Sequence, residues 1–352
     1  MPLAGRADLA KSRRMKKRAV LKDVARRAGV SEMTASRALR DAPDVSQSTR
    51  ERVQQAAVEI GYVPNRIAGA LSSMSSNLVG VVVPSLASYV FPEVLSGISQ
   101  GLKTSPLKPV VSVTGYDLTE EESVIRELLS WRPSGLIVAG LEHSDAARTM
   151  LASADCPVVE IMDTDGDPVE HCIGISHLEA GREMAATLLE CGYRRIGFIG
   201  TKMARDVRAQ KRFTGFAERL DQAGVALTDQ ELYEDQSSFE TGRTLTARML
   251  ERSPGLDCIY YSSDVMSVGG YMHCLATGLN VPKDIALAGF NNLQILRGLP
   301  LELATTDAHR FEIGEMAAEI ILSHPRHHKK TPPVLRRLHP TVSLGGSLAR
   351  GG

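Results

Sequence analysis

Residues 21–39 read LKDVARRAGVSEMTASRAL, a stretch with the pattern of two short helices joined by a tight turn. The apolar positions i, i+3, i+4 and i+7 of the first helix are Leu21, Val24, Ala25 and Ala28. Gly29 tolerates the positive φ that ends a helix, and Ser31 can cap the next one, which runs through Leu39. This spacing predicts a helix-turn-helix.

The segments on both sides extend this unit. A third helix is predicted from Gln47 to Ile60, where Gly61 ends it. Pro64 cannot continue that helix and suits the first turn of a new one, but the segment after it is too short to be a stable helix alone. Residues 72–77, SSMSSN, have the composition of a linker, and residues 1–18 are expected to be unstructured.

Basic residues are concentrated at the amino-terminal end. Residues 1–66 contain 15 Lys and Arg against 7 Asp and Glu, whereas the whole chain of 352 residues has 41 of each and no net charge. A basic head on an acidic body indicates a polyanion-binding domain joined to a different module. A basic disordered tail would have the same charge but would lack the helical spacing of residues 21–39.

Beyond residue 77, apolar strands alternate with helices. Strands are predicted at 78–83, 109–113, 135–138, 158–161, 195–199, 258–260 and 285–288, and helices at 93–103, 120–130, 179–191, 209–223, 266–277 and 313–323. This alternation is typical of parallel sheets, and its length fits two lobes better than one sheet. The predicted fold class is an all-α helix-turn-helix domain followed by a two-lobed α/β domain.

Several classes of protein and site are not favoured. The five cysteines, at positions 156, 172, 191, 258 and 274, lie at least 16 residues apart, so buried reduced thiols in a cytoplasmic protein are expected. No apolar run suits a membrane span or a signal peptide. No phosphate-binding glycine loop or nucleophile–base set is found, so we expect no catalytic residue, metal or cofactor.

Four sequence motifs within residues 21–66 occur in a distinctive order. They are residues 21–31, TASRAL at 34–39, VS followed by TRERV at 45–53, and GYVPNR at 61–66. Together they resemble the lac-repressor-type family of transcription regulators, over about 50 residues. The resemblance implies a transcriptional repressor that binds double-stranded operator DNA as a homodimer, because two identical heads match a near-palindromic site.

The second helix carries the side chains expected to recognise bases. By the resemblance its amino-terminal end enters the major groove, where Glu32, Met33 and Arg37 face base edges. Arg37 suits the O6/N7 edge of guanine, Glu32 could accept from cytosine N4, and Met33 could contact a thymine methyl. Glu32 could instead serve only the helix dipole. The candidates for phosphate contacts are Ser31, Thr34, Ser36, Asn65 and Arg66.

Residues 64–72 match the hinge helix of this family. The resemblance implies that this helix folds against its dimer mate on DNA and places Ala68 and Leu71 in the minor groove, with Leu71 as an apolar wedge. A helix of such marginal stability can act as a switch.

Residues 77–345 resemble the periplasmic-binding-protein-like effector domain of the family, whose ligand lies in the cleft between two lobes. The matching cleft positions are Ser85, Phe91, Asp163, Arg212, Ser263 and Asn291, with His177 and Tyr116 as further candidates. Asp163 could accept hydrogen bonds from sugar hydroxyls or only stabilise a turn, and Arg212 could pair with a ligand carboxylate or be solvated. Ser263 and Asn291 differ from the residues that many relatives have at these positions.

Five sequence motifs between residues 90 and 347 narrow the class of ligand that is expected as effector. They are VFPEVL at 90–95, LSW at 129–131, GLI at 135–137, VVEIMD at 158–163 and VSLGGS at 342–347. They resemble members of the family that regulate sugar-acid catabolism, so the expected effector is a small carbohydrate such as gluconate or its phosphate, which releases the repressor from operator. Another sugar or sugar phosphate is the alternative. A solute-binding protein of a transporter would share the body but not the head.

The predicted domains follow from these matches. Residues 1–18 are a disordered basic extension, 19–63 the helix-turn-helix domain, 64–76 the hinge helix and linker, and 77–345 the effector-binding and dimerisation domain.

Overall fold

The structure is a computed structural model that describes residues 19–64, 76–87, 89–201, 205–324 and 332–348. It divides into two compact units, Met1–Met74 and Ser75–Gly352, here called the head and the body. The predicted basic extension and most of the predicted hinge lie outside the described residues. No helix in the described ranges has the length and apolar composition needed to cross a membrane.

The head is built on three helices. They are α1 (Leu21–Ala28), α2 (Glu32–Ala38) and α3 (Gln47–Glu59). Gly29 ends α1 with a φ of 67°, and the Ser31 hydroxyl caps α2 by accepting a hydrogen bond of 3.1 Å from the backbone N–H of Thr34. Both features agree with the predicted helix-turn-helix. Small side chains form the core: Val24, Ala25, Ala28, Ala35, Ala38, Val45, Val53, Ala56 and Ala57.

The first lobe of the body contains a six-stranded parallel sheet in the order β11-β5-β4-β3-β1-β2. Its strands are β1 (Leu78–Val83), β2 (Lys108–Val113), β3 (Gly135–Ala139), β4 (Val158–Asp163), β5 (His171–Ile175) and β11 (Leu335–Leu338). Its helices are α4 (Phe91–Gly101), α5 (Leu118–Ser130), α6 (Asp145–Ala152) and α11 (Arg310–Ser323).

The second lobe has a smaller parallel sheet in the order β7-β6-β8-β9, beside an antiparallel pair of β10 and β12. Its strands are β6 (Ile196–Thr201), β7 (Asp229–Tyr233), β8 (Cys258–Tyr261), β9 (Ala286–Ala288), β10 (Thr305–Asp307) and β12 (Thr341–Ser343). Its helices are α7 (His177–Glu190), α8 (Val207–Gln222), α9 (Phe239–Arg252), α10 (Asp264–Thr277) and a 3₁₀ turn (Gln294–Gly298).

The chain passes between the lobes three times: after β5, between β10 and α11, and between β11 and β12. Ile175, Ala180, Phe290 and Ala308 pack together near these crossings. The His309 ring lies 2.9 Å from the carbonyl oxygen of His339, which ties two crossings to each other. The second lobe continues past residue 345, because Ser347 and Leu348 are fully buried in it.

The sequence pattern located most of the central strands and helices but missed several elements. The omitted elements are α6, β5, β7, α9, β10, β11 and β12. Strand β7 alternates half-buried and exposed residues at the edge of its sheet, so it lacks the apolar run of a central strand. Strand β11 is largely exposed and pairs with β5, although the two strands are far apart in the sequence. Such edges depend on long-range pairing, which local periodicity does not report.

Pairs of helices in both lobes touch backbone to backbone through facing glycines. The pairs are α4 with α11 through Gly97 and Gly314, α7 with α8 through Gly181 and Gly215, and α9 with α10 through Gly242 and Gly269. A Cβ atom on any of these glycines would overlap a backbone carbonyl oxygen of the facing helix. The helix separations, and hence the positions of side chains on these helices, are therefore set by glycine.

A charged cluster is buried in the first lobe. The His143 side chain is 1% exposed, with Nδ1 2.7 Å from Glu121 Oε1 and Nε2 3.2 Å from Glu160 Oε1. Burial alone lowers the pKa of His143, but the hydrogen bonds to the two carboxylates outweigh it and raise the pKa to about 9. The imidazolium thereby links helix α5, strand β4 and the loop that follows β3.

We expect this cluster to make stability fall as the pH rises. Because the folded-state pKa of His143 is about 9, the contribution of the cluster to the unfolding free energy is complete below the unfolded-state pKa near 6.5. That contribution is lost as the pH rises past about 9. The full effect is about 3 kcal/mol of unfolding free energy. Urea unfolding between pH 6 and pH 9.5 measures it. His143→Gln should lack this pH-dependent component, and equal pH profiles for the two proteins would contradict a buried imidazolium.

Candidate functional site

The amino-terminal turn of α2 is exposed on the surface of the head. Glu32 and Met33 are exposed, the latter by 73%, although it is a large apolar side chain. Ser36 is half-buried, while the neighbouring Ala35 and Ala38 fill the core. The helix therefore turns its predicted base-reading positions outward and its alanines inward.

Arg37 forms an ion pair with an acid beyond the end of the same helix. Its Nη2 lies 2.5 Å from Asp44 Oδ2, and both side chains are about half exposed. The hydrogen bond from Arg37 is the main cause that lowers the pKa of Asp44. Exposed ion pairs are weak, so the guanidinium can exchange this partner for another acceptor.

The remaining candidates of the head divide into two groups. The Ser31 and Thr34 hydroxyls lie 2.9 Å apart at the start of α2, where Ser31 also caps the helix. Asn65, Arg66, Ala68 and Leu71 lie outside the described residues.

A cavity of about 840 Å³, counting the space that opens to solvent, lies between the two lobes of the body. The first lobe contributes Ala87, Tyr89, Val90, Phe91, Tyr116 and Met162. The second lobe contributes His177, Asp206, Arg208, Ala209, Arg212, Gln236, Ser237, Ser262, Ser263, Val265, Phe290, Asn291 and Leu293. A ligand here would touch both lobes at once.

Arg212 is held rigidly in the wall of this cavity. It is 7% exposed, its Nη1 lies 3.0 Å from His177 Nδ1, and its guanidinium carbon lies 3.9 Å from the centre of the Phe290 ring. Its Nε has no hydrogen-bond partner. Burial is the main cause that lowers the pKa of Arg212, although the group stays charged because guanidinium is so strong a base.

His177 orients this arginine as a neutral ring. Its Nε2 lies 3.0 Å from the Met162 carbonyl oxygen, which can only accept, so Nε2 carries the proton and Nδ1 accepts from Arg212. Burial, then the charges of Arg212 and Arg208, hold the pKa of His177 well below its usual value. The imidazole therefore adds no charge to the cavity at neutral pH.

A second buried arginine lies one helical turn before Arg212. Arg208 is 9% exposed, and its Nη1 has no hydrogen-bond partner. Its Nε is 3.8 Å from Asp206 Oδ1, and Asp206 also caps α8 through the N–H of Ala209. Burial acts to lower the pKa of Arg208, but Asp206 and weaker acidic neighbours raise it overall.

The structure brings four of the six predicted cleft residues to the cavity wall: Phe91, Arg212, Ser263 and Asn291. Tyr116 and His177, the two further candidates, also line it. Ser85 lies outside the lining, where its hydroxyl accepts from the N–H of Ala87. Asp163 is fully buried behind Met162, and its Oδ1 accepts a hydrogen bond of 2.8 Å from Asp165 N–H, as expected for the turn alternative.

Three cavity residues have a left-handed backbone although none is glycine. The φ angles are 64° at Tyr116, 81° at Met162 and 112° at Asn291. Such conformations are costly for residues with a Cβ and occur where the surrounding structure enforces them, often at binding sites. Behind Asn291, the buried Asp264 carboxylate accepts from Leu293 N–H at 2.8 Å and from the Thr305 hydroxyl at 2.7 Å, which fixes this loop.

Sequence reasoning missed Arg208 and Asp206. The spacing of Arg208 and Arg212, four residues apart in one helix, already implied a shared face and could have identified the first of them. The cavity wall combines two guanidinium groups and one carboxylate with apolar and hydroxyl-bearing side chains. Within the described ranges, no group of three or more His, Cys, Asp and Glu side chains is placed to hold a metal ion.

Comparison with known proteins accounts for both units. Residues 20–65 match the family model for bacterial regulatory proteins of the lacI family. Residues 76–338 match the model for periplasmic binding proteins and the sugar binding domain of the LacI family. This chain belongs to the lacI family. It is a DNA-binding transcriptional repressor and not an enzyme.

Relatives within the family align over nearly the whole chain. The HTH-type transcriptional regulator GntR of Pseudomonas aeruginosa is 37% identical over 314 residues, which are 89% of this chain and 91% of the relative. GntR of Escherichia coli K12 is 34% identical over 333 residues, covering 95% of this chain and 99% of the relative.

A solved LacI-family structure matches the fold as a whole. The crystal structure of a transcriptional regulator from Silicibacter pomeroyi is 55% identical and has a TM-score of 0.89. The match covers 94% of this chain and all of that one. The predicted fold class, a helix-turn-helix domain followed by an α/β periplasmic-binding-like domain, is confirmed.

The contact between α7 and α8 should control the position of Arg212. A Cβ on Gly181 would overlap the backbone carbonyl oxygen of Arg212 itself. We expect Gly181→Ala to separate the helices, move Arg212 and lower the unfolding free energy by about 1–3 kcal/mol. Thermal and urea unfolding of the full chain measure the loss.

Gly298→Ala is the matched control, because nothing lies within 4 Å of a Cβ built there. A Gly181→Ala protein as stable as this control would show that the helices can separate without cost.

Proposed function

We propose that this repressor is released from its operator by a sugar acid of the gluconate type, which binds in the cleft of the body. The observation that carries the proposal is the pair of buried guanidinium groups, Arg208 and Arg212, which both line the cavity and each keep one N–H donor without a hydrogen-bond partner. A ligand carboxylate supplies the acceptors that these donors lack and the countercharge that Arg212 lacks. The motifs at 90–95, 129–131, 135–137, 158–163 and 342–347, which resemble regulators of sugar-acid catabolism, support the same class of effector.

The rest of the cavity suits the polyhydroxyl part of such a ligand. The Ser263 hydroxyl is buried without a hydrogen-bond partner, and Asn291 offers an amide beside it in the same wall. Phe91 and Phe290 supply apolar faces for the carbon chain. Buried polar groups without partners are costly, so a ligand that satisfies them gains both affinity and selectivity.

The coupling between ligand and operator depends on the two lobes. Because residues from both lobes line the cavity, a bound ligand favours the relative arrangement of the lobes in which both sets of contacts form. We propose that residues 64–76 transmit this preference to the heads of a homodimer bound to a two-fold operator. Ligand then lowers operator affinity to the extent that it binds the DNA-free arrangement more tightly.

In the head, we propose that Arg37 reads a guanine and that Glu32 and Met33 contact neighbouring bases. Ser31, Thr34, Ser36, Asn65 and Arg66 contact phosphates, and Ala68 and Leu71 contact the minor groove. The exposure of Glu32 and Met33 on α2 supports this arrangement.

Arg37→Ala should remove discrimination between operator and random DNA at one base pair. A bidentate arginine–guanine contact discriminates by about 1–3 kcal/mol, or roughly 5- to 150-fold in affinity. Nonspecific, salt-sensitive binding should remain. Fluorescence anisotropy with the duplex selected from a randomised pool, and with a scrambled duplex at the same salt, measures both affinities.

Arg26→Ala is the matched control, since it removes an exposed arginine from α1. It should weaken binding to both duplexes by the same factor. An Arg37→Ala protein that behaves like this control would rule out the base-reading role.

Arg212→Ala should abolish ligand-induced release from the operator without changing the affinity for operator DNA. Loss of a buried charged contact should weaken gluconate binding by at least about 30-fold, while operator affinity without ligand stays the same. Calorimetry and operator gel shifts with gluconate, 6-phosphogluconate, 2-ketogluconate and neutral hexoses measure the effect and identify the effector.

Arg219→Ala, in the last turn of the same helix, controls for loss of an arginine from α8. Normal ligand binding by Arg212→Ala would refute the cleft assignment, and release by a neutral hexose alone would refute the sugar-acid class.

A further inference from the structure

One lysine of the second lobe reaches two carboxylates of the first lobe. Lys211, on α8, has its Nζ 2.5 Å from Asp163 Oδ2 and 2.8 Å from Glu142 Oε1. Asp163 ends β4 and is fully buried, and Glu142 lies in the loop after β3. The lysine therefore bridges the lobes at the edge of the cleft.

With this bridge formed, both carboxylate oxygens of Asp163 have a hydrogen-bond partner. One carboxylate oxygen accepts from the Asp165 N–H at 2.8 Å, and the other binds Lys211. Asp163 is fully buried, and the Lys211 ammonium is a countercharge within hydrogen-bond distance of its carboxylate. In this arrangement Asp163 is not available as an acceptor for ligand hydroxyls.

These charges lie close to the anion-binding donors of the cleft. Met162, next to Asp163, lines the cavity, and Glu142 and Arg208 both lie within 4 Å of the Cβ position of Gly140. Acidic neighbours that act on Arg208 include Glu142 and Asp163. Without Lys211, two negative charges would oppose an incoming anion at this edge; with it, the three groups carry a net charge of −1.

We propose that Lys211 determines the selectivity of the cleft for anionic ligands, because it neutralises Asp163, whose neighbour Met162 lines the same cavity as Arg208. This inference rests on the proposed sugar-acid function and adds a residue outside the cavity lining to it. Lys211 acts through the charge of Asp163 and not through contact with ligand. Removing the lysine alone should therefore harm anion binding, and removing both charges should restore it.

The test is a double-mutant cycle with two ligands of nearly equal shape. Wild type, Lys211→Met, Asp163→Asn and the double variant are titrated by calorimetry with gluconate and with its uncharged amide, gluconamide. Asparagine at position 163 keeps an oxygen that can accept from the Asp165 N–H, so the turn is preserved. Circular dichroism and thermal unfolding confirm that each protein is folded.

We expect Lys211→Met to weaken gluconate about tenfold and to leave gluconamide within about twofold. The double variant should recover gluconate binding to within about threefold of wild type, and Asp163→Asn alone should bind gluconate more tightly than wild type. If Lys211→Met fails to fold, the Asp163→Asn and double variants still report the charge effect.

Other outcomes overturn the proposal. Equal losses for both ligands in Lys211→Met would show that the lysine only holds the lobes together. A double variant as weak as Lys211→Met would show that the lysine itself contacts ligand or structure. A wild-type protein that binds no sugar acid would instead refute the proposed function, and this inference with it.

Discussion

The burial of two guanidinium groups between the lobes is the constraint around which the body is arranged. Arg208 and Arg212 are each less than 10% exposed, and a buried charge is tolerated only with compensating partners. Asp206 compensates Arg208, whereas Arg212 has a neutral histidine and an aromatic ring. Arg212 therefore keeps a positive charge without an acidic hydrogen-bond partner, which is the property a carboxylate ligand requires.

The glycine contacts between helices make this arrangement rigid. The backbone of α8 at Arg212 touches Gly181 of α7, and Gly215 of α8 touches Leu178 in return. Such contact leaves no room for a side chain at either point, so the cleft arginine is fixed from the main chain outward. The same device joins α4 to α11 and α9 to α10, and thus defines the framework of both lobes.

The head and the body solve different physical problems. The head has a small core of alanine and valine, and its helix ends depend on local caps at Gly29 and Ser31. The body depends on parallel sheets whose strands pair across long stretches of sequence, with β11 pairing β5 across more than 150 residues. Local features therefore suffice to recognise the head, whereas the body needs the whole chain to complete its edges and its cleft.

The sequence by itself determined the helix-turn-helix and the α/β class, and it predicted four of the residues that line the cavity, because apolar spacing, caps and family motifs are local signals. It could not determine that Asp163 would be buried outside the cavity lining and bound by Lys211, nor that Asp206 would join Arg208 and Arg212 in that lining. Those outcomes depend on which charges meet when distant segments pack, here residues 142, 163 and 211. Only tertiary structure brings such groups within hydrogen-bond distance, and burial then decides which of them must pair and which remain for a ligand.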